Sequence, residues 1–136
     1  MALKHALPEP TRAFTVAAEY GPAGMRLFAR LAELWKLTPA EQQRLLQLPR
    51  STLAKYRGHP EAARLGPDTA ERLSYLIGIY RALQILLRRP EAADGWIRRP
   101  NPAAPFNGQS ALERMLSGRV ADLYVVRHYL DGQRGW

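Results

Sequence analysis

The segment "LSYLIGIYRALQILL", residues 73–87, constrains the fold more than any other part of the chain. Its apolar side chains fall in two stripes at helical spacing. Leu73, Leu76, Ile77, Tyr80, Leu83 and Leu87 make one, and Tyr75, Ile79, Ala82 and Leu86 the other. A surface helix needs only one such face. A helix with two is either central to a bundle or lends its second face to another subunit, so Tyr75, Ile79, Ala82 and Leu86 are the expected homodimer interface. The run is too short to span a bilayer and carries Arg81 midway, which makes it a core helix. Asp68 or Thr69 is the expected cap at its start; it should run to about Arg89 and be ended by Pro90 and Gly95.

Elements on either side read as helices too. Residues 1–24 form an N-terminal arm broken by Pro8, Pro10 and "YGPAG". "MRLFARLAELWKL" (25–37) places Leu27, Phe28, Leu31, Leu34 and Trp35 on one helical face. Thr38 and Glu41 make a capping box that starts a short helix at Pro39. A second short helix, "RSTLAKYRG", ends at Gly58, and "HPEAARLGP" is a loop with at most a turn of helix. Trp96 and Trp35 are expected in the core. "WIRRPNPAAPFNGQS" (96–110) is an extended connection with a turn at Asn107-Gly108. Ser110 and Glu113 form a second capping box, Gly118 sits where a C′ glycine would, and a last helix closes at Gly132. The expected class is all-α, divided into an arm (1–24), a helix-turn-helix unit with the long helix (25–93) and a C-terminal unit (94–136).

"LTPAEQQRLLQLPRSTLAKYRG" (37–58) has the spacing of a helix-turn-helix. Glu41, Leu45 and Leu48 face inward, with Leu53 and Tyr56 holding the second helix on the first. Arg50, Ser51, Thr52, Lys55 and Arg57 are left outside, a set able to take phosphates and base edges. Gln47 stands where a turn glycine is usual, so the turn either avoids positive φ or accepts strain. Pro49 replaces the usual Ser or Thr cap and suits a first helical position. The formal net charge of +8 favours a polyanionic partner, because fixed positive charge attracts phosphates.

Composition excludes several classes. The chain has no cysteine, so disulfides, thiolate metal sites and a Cys nucleophile are ruled out. That suits a reducing cytoplasm, where the protein is expected. His5, His59 and His128 lack the paired spacing of a metal site and read as incidental. Glu61, Asp68 and Glu71 lie near helix starts, where capping explains them. No Gly-rich phosphate loop or nucleophile motif occurs, so neither an enzyme nor a cofactor is expected. Arg88, Arg89, Arg98 and Arg99 form a basic cluster around the connection between the two units.

The helix-turn-helix, "LGPDTAERLSYLIGIYRALQILL" and "WIRRPNPAAPFNGQSALERMLSGR" together resemble the Xre/MbcA/ParS family of bacterial antitoxins. Leu65, Asp68 and Arg72-Leu73-Ser74 carry the middle of the pattern. Trp96, Pro100-Asn101, Phe106, Gly108, Leu112 and Gly118 carry its end, with Ala111 where a Pro is common. The resemblance covers roughly residues 25 to 136. It implies a partner toxin with a RES domain, which destroys NAD, and an operator bound by the helix-turn-helix for autorepression. It also implies toxin contact through Asn101, Phe106, Asn107, Gly108, Arg127, Arg134, Gly135 and Trp136. In that reading "GQRGW" is a plug for the NAD cleft; otherwise Trp136 folds back on Tyr129 or Trp96. Phe106 and Gly108 serve either a recognition loop or a buried turn. A free-standing helix-turn-helix regulator would share the DNA feature but have no use for the tail.

Overall fold

A computed structural model describes residues 21–135, and over that span the chain is helical, with a single isolated bridge between Pro100 and Ser110. Seven α-helices follow in order: α1 (Gly21–Leu34), α2 (Pro39–Leu46), α3 (Arg50–Gly58), α4 (Pro67–Leu86), α5 (Pro90–Gly95), α6 (Ala111–Met115) and α7 (Val120–Gln133). Short 3-10 turns lie at Pro60–Ala62 and Trp96–Arg98. Both predicted capping boxes form. The Thr38 hydroxyl accepts from the Glu41 amide while Glu41 accepts from the Thr38 amide, and Ser110 and Glu113 repeat the arrangement.

Several boundaries differ from expectation. Helix α1 is already helical at Gly21, the first described residue, and not only from 25. A proline moves the start of α4, because its missing N–H costs nothing in a first turn: Gly66 is the N-cap and Pro67 opens the first turn, while Asp68 instead pairs with Arg72 at 3.0 Å. Helix α4 stops at Leu86, since Leu87 and Arg89 are extended; Pro90 then opens α5 instead of closing α4. The 96–110 connection is a turn of 3-10 helix and a closed loop. Its mouth is stitched by the Asn101 amide donating to the Gln109 carbonyl (3.0 Å) and the Gly108 amide to the Asn101 carbonyl (2.8 Å). Gly132 lies inside α7 rather than closing it. Gly118, with φ +87°, turns the chain between α6 and α7.

Helix α4 is the centre of the molecule, packed by α1 on one side and α7 on the other. Trp35, Phe28, Phe106 and Ile97 are fully buried, and one continuous apolar core runs through both halves of the chain. The stripe expected to meet a second subunit is covered by the chain's own last helix. Ile79 and Ala82 have no exposed surface, Tyr75 packs edge-on against Tyr124 of α7, and Leu86 lines a recess with Tyr129 and Leu130. Ile79 and Ala82 are therefore closed within the chain's own core, while Tyr75 and Leu86 are half-buried and keep some surface. Sequence spacing showed two faces but could not say that a segment forty residues later covers one of them.

Arginines hold the halves together. Arg44 donates to the Leu116 carbonyl at 2.8 Å, and buried Arg72 to the Gly118 carbonyl at 2.7 Å. Arg98 donates to the carbonyls of Trp35 and Lys36 and pairs with Glu41, satisfying the open end of α1. The basic cluster expected around residues 88–99 is thus largely structural: Arg99 takes the Ala92 carbonyl and Arg89 pairs with Glu91.

Asp122, buried in the first turn of α7, accepts from Ser117 and Arg114, with Arg119 at 3.4 Å. Burial alone would raise its pKa, but these bonds outweigh it and hold the carboxyl below its ordinary 3.8. A depressed carboxylate stabilises the fold above its unfolded pKa, and that contribution disappears as pH falls through the folded value. Urea unfolding of Asp122→Asn should therefore show a deficit of about 1–3 kcal/mol at neutral pH, from buried donors left facing an amide. The deficit should shrink as the pH drops below 3.8.

Candidate functional site

Two exposed faces stand apart from the core. The first is α3, packed on α2 through buried Leu53 and Tyr56. The turn between them accepts strain: Gln47 adopts φ +54°, ψ +47°, and its side-chain amide donates to the Arg44 carbonyl at 2.8 Å. Pro49 is the N-cap of α3, not its first helical residue, and supplies no side-chain acceptor. The opening amides of α3 consequently have no side-chain cap, a geometry that suits a phosphate oxygen. Arg50, Ser51 and Lys55 are exposed and Thr52 half-exposed. Arg57 is exposed as expected but also has an internal partner. Its guanidinium bonds the Gln42 side chain, which in turn donates to the Leu37 carbonyl at 3.0 Å, so Arg57 braces the motif internally.

The second face is the outside of α7 with the neighbouring 101–109 loop. Tyr124 is 49% exposed, the most exposed Phe, Tyr or Trp of the described residues, and stacks on His128 with centroids 5.6 Å apart. Its other edge meets Tyr75 at 6.1 Å. Burial first, then the neighbouring Glu71 and Tyr124, push the Tyr75 phenol above its ordinary value against the pull of Arg127, which keeps it uncharged. The platform is thus three aromatic rings, two of them facing solvent. Sequence reasoning missed it, reading His128 as incidental and assigning Tyr124 no role. The signal was there: residues 124 and 128 are four apart and share a helical face.

The residues that the resemblance assigned to toxin contact divide. Phe106 is fully buried, edge-on to Trp96 (5.9 Å) and Tyr129 (5.1 Å), so it anchors the core and is not itself a contact. Asn101 is committed to its own loop, its side chain accepting from the Ala103 amide at 2.9 Å. Asn107 (φ +51°) and Gly108 (φ +98°) form the exposed turn of that loop. Arg127 lies across Gly78 of α4, with Nη1 1.6 Å from where a β-carbon would be, and its Nε bonds both oxygens of Asp131 at 3.2 Å. Gly78 is small so that this arginine can cross it. Arg134 also approaches Asp131, at 3.9 Å, and Gly135 is exposed. Trp136 lies outside the described residues.

Among the described residues no group of His, Asp or Glu is placed to hold a metal ion, and no helix is long and apolar enough to cross a membrane. Residues 21–78 match the antitoxin Xre-like helix-turn-helix domain. Residues 82–135 match the antitoxin Xre/MbcA/ParS C-terminal toxin-binding domain. The chain is 45% identical over 132 residues to "Uncharacterized protein y4oB" of Sinorhizobium fredii (strain NBRC 101917 / NGR234), covering 95% of this chain and 99% of that one. No solved structure matches it. With both modules present in order, the α2–α3 pair in the first and the aromatic face of α7 in the second, the chain belongs to the Xre/MbcA/ParS family of antitoxins.

Proposed function

We propose that this antitoxin neutralises a RES-domain, NAD-degrading toxin by occluding it with the outer face of α7 and the tail beyond Gln133, and that it represses its own operon through α3. The observation that carries the toxin half is Tyr124, a large ring left half in water within the toxin-binding module. Tyr is among the side chains that anchor interfaces most strongly, and here its neighbours pre-set its orientation. In this reading the tail residues Arg134, Gly135 and Trp136, which follow α7 in sequence, enter the toxin's NAD cleft. Co-expression with the toxin of the adjacent reading frame tests this: the full chain should keep NAD and growth, and a chain lacking residues 133–136 should lose both. Preserved NAD with the truncated chain rejects the plug; an adjacent frame without a RES domain rejects the toxin class.

For DNA, Arg50 and Lys55 are the exposed cations of α3 without a side-chain partner, Arg57 is exposed beside them though bonded to Gln42, and the opening amides of α3 have no side-chain cap. Arg50→Ala with Lys55→Ala should abolish a mobility shift on the upstream region while toxin neutralisation continues. Binding by the unaltered chain should weaken steeply between low and high salt, as phosphate contacts require. A salt-insensitive shift, or one unaffected by the double change, contradicts repression through α3. A homodimer remains part of the proposal, since operators read by helix-turn-helix proteins pair with protein two-folds; on the α4 stripe only Tyr75 and Leu86 keep surface that it could use.

A further inference from the structure

Among the described residues most arginines are engaged within the chain, and five have neither hydrogen bond nor ion pair: Arg26, Arg30, Arg50, Arg81 and Arg88. Arg50 belongs to α3. Arg26, Arg30 and Arg81 converge on a single groove of about 580 Å³ between α1 and α4, on the opposite side of α4 from α7. Between them lie apolar side chains, with Leu27 43% exposed and Ile77 and Tyr80 forming the α4 wall. One turn past Arg81 the ridge continues with Ile85, 61% exposed, the most exposed large hydrophobic residue of the described chain. Ile77 to Ile85 spans roughly 12 Å along the helix axis.

We infer that this groove receives an acidic amphipathic helix from a protein partner, laid along α1 and α4. Its apolar side chains would cover Leu27, Ile77 and Ile85, and its carboxylates would pair with Arg26, Arg30 and Arg81. The groove's elongation along two helices suits the helix-in-groove mode, in which anchors at i, i+3, i+4 and i+7 fill an apolar channel. Charge selects the partner: three exposed guanidiniums without internal partners favour carboxylates over cations, and planar guanidinium groups bind carboxylates with two parallel bonds. A second copy of this chain is disfavoured because two-fold pairing would set these arginines against each other on molecules already carrying +8. This surface is separate from both α3 and the Tyr124 face, so it stands whether or not the toxin reading does.

The probe is a stapled helical peptide of about 15 residues with leucines at i, i+3, i+4 and i+7 flanked by glutamates, and a twin with lysines for the glutamates. Titrated calorimetrically into the full chain, the acidic peptide should bind, and added salt should weaken it. The variant Arg26→Glu/Arg30→Glu/Arg81→Glu, checked for unchanged helicity, should lose at least about tenfold in affinity for the acidic peptide and gain the basic twin. Leu27→Ser should weaken both pairings without changing the charge preference. Equal binding of both peptides, no binding by the unaltered chain, or an acidic peptide held as well by the triple variant overturns the inference. So does self-association of the chain that the triple change abolishes, which would name a second copy, or octanoate binding in the absence of peptide binding, which would name a small amphipathic anion.

Discussion

Phe106→Ala should lower stability by about 3–5 kcal/mol and the melting temperature by on the order of 10 °C. The ring is fully buried and sits between Trp96 and Tyr129, both of which meet it edge-on. Removing it leaves a cavity that those two large rings cannot fill without abandoning their own stacking at 6.2 Å. The loss should propagate. Tyr129 is on α7, and the 101–109 loop is folded around Phe106, whose amide donates to the Ala103 carbonyl at 2.8 Å. Circular dichroism melts of the free protein check it. A melting temperature unchanged within error would mean that Phe106 is a contact for a partner and not an anchor for the fold.

Tyr124→Asp should leave the free protein folded, since the ring is half in water and its loss opens no cavity. Toxin affinity should nevertheless fall by about 2–4 kcal/mol, roughly 30- to 1,000-fold, the range for a central aromatic anchor replaced by a charge. Tyr124→Phe separates the two contributions of the ring: retained affinity assigns the effect to buried area, and lost affinity assigns it to the hydroxyl. His128→Ala should have a smaller effect, because its contribution is to hold Tyr124 in place by stacking. Calorimetry with the purified toxin measures all three, and wild-type affinity in Tyr124→Asp would remove this face from the interface.

Features whose cause is local could be read from the chain alone. Thr38 with Glu41 and Ser110 with Glu113 fix helix starts within four residues, and both form as expected. The helix-turn-helix followed from the same signals, with Leu53 and Tyr56 correctly inside. Proline was read as a breaker where it serves as a first-turn residue, which displaced the starts of α4 and α5. Less legible was anything settled by residues far apart in sequence. The second stripe of α4 looked like a free surface because nothing near it announces α7. Arg72, Arg44 and Arg98 gave no sign that their partners are backbone carbonyls, since a carbonyl has no sequence identity. Arg57 and Arg127 were expected to meet other molecules for the same reason. A guanidinium's partner, internal or external, is decided by the packing around it.

Hydrogen exchange of the antitoxin, free and with its toxin bound, bears most directly on the claim that one molecule uses two separate faces. The amides of Val120–Gln133 and of the 101–109 loop should gain protection on binding, while those of Arg50–Gly58 stay as they are and remain open to DNA. Protection gathered on Arg50–Gly58, with Val120–Gln133 exchanging as in the free protein, would contradict it.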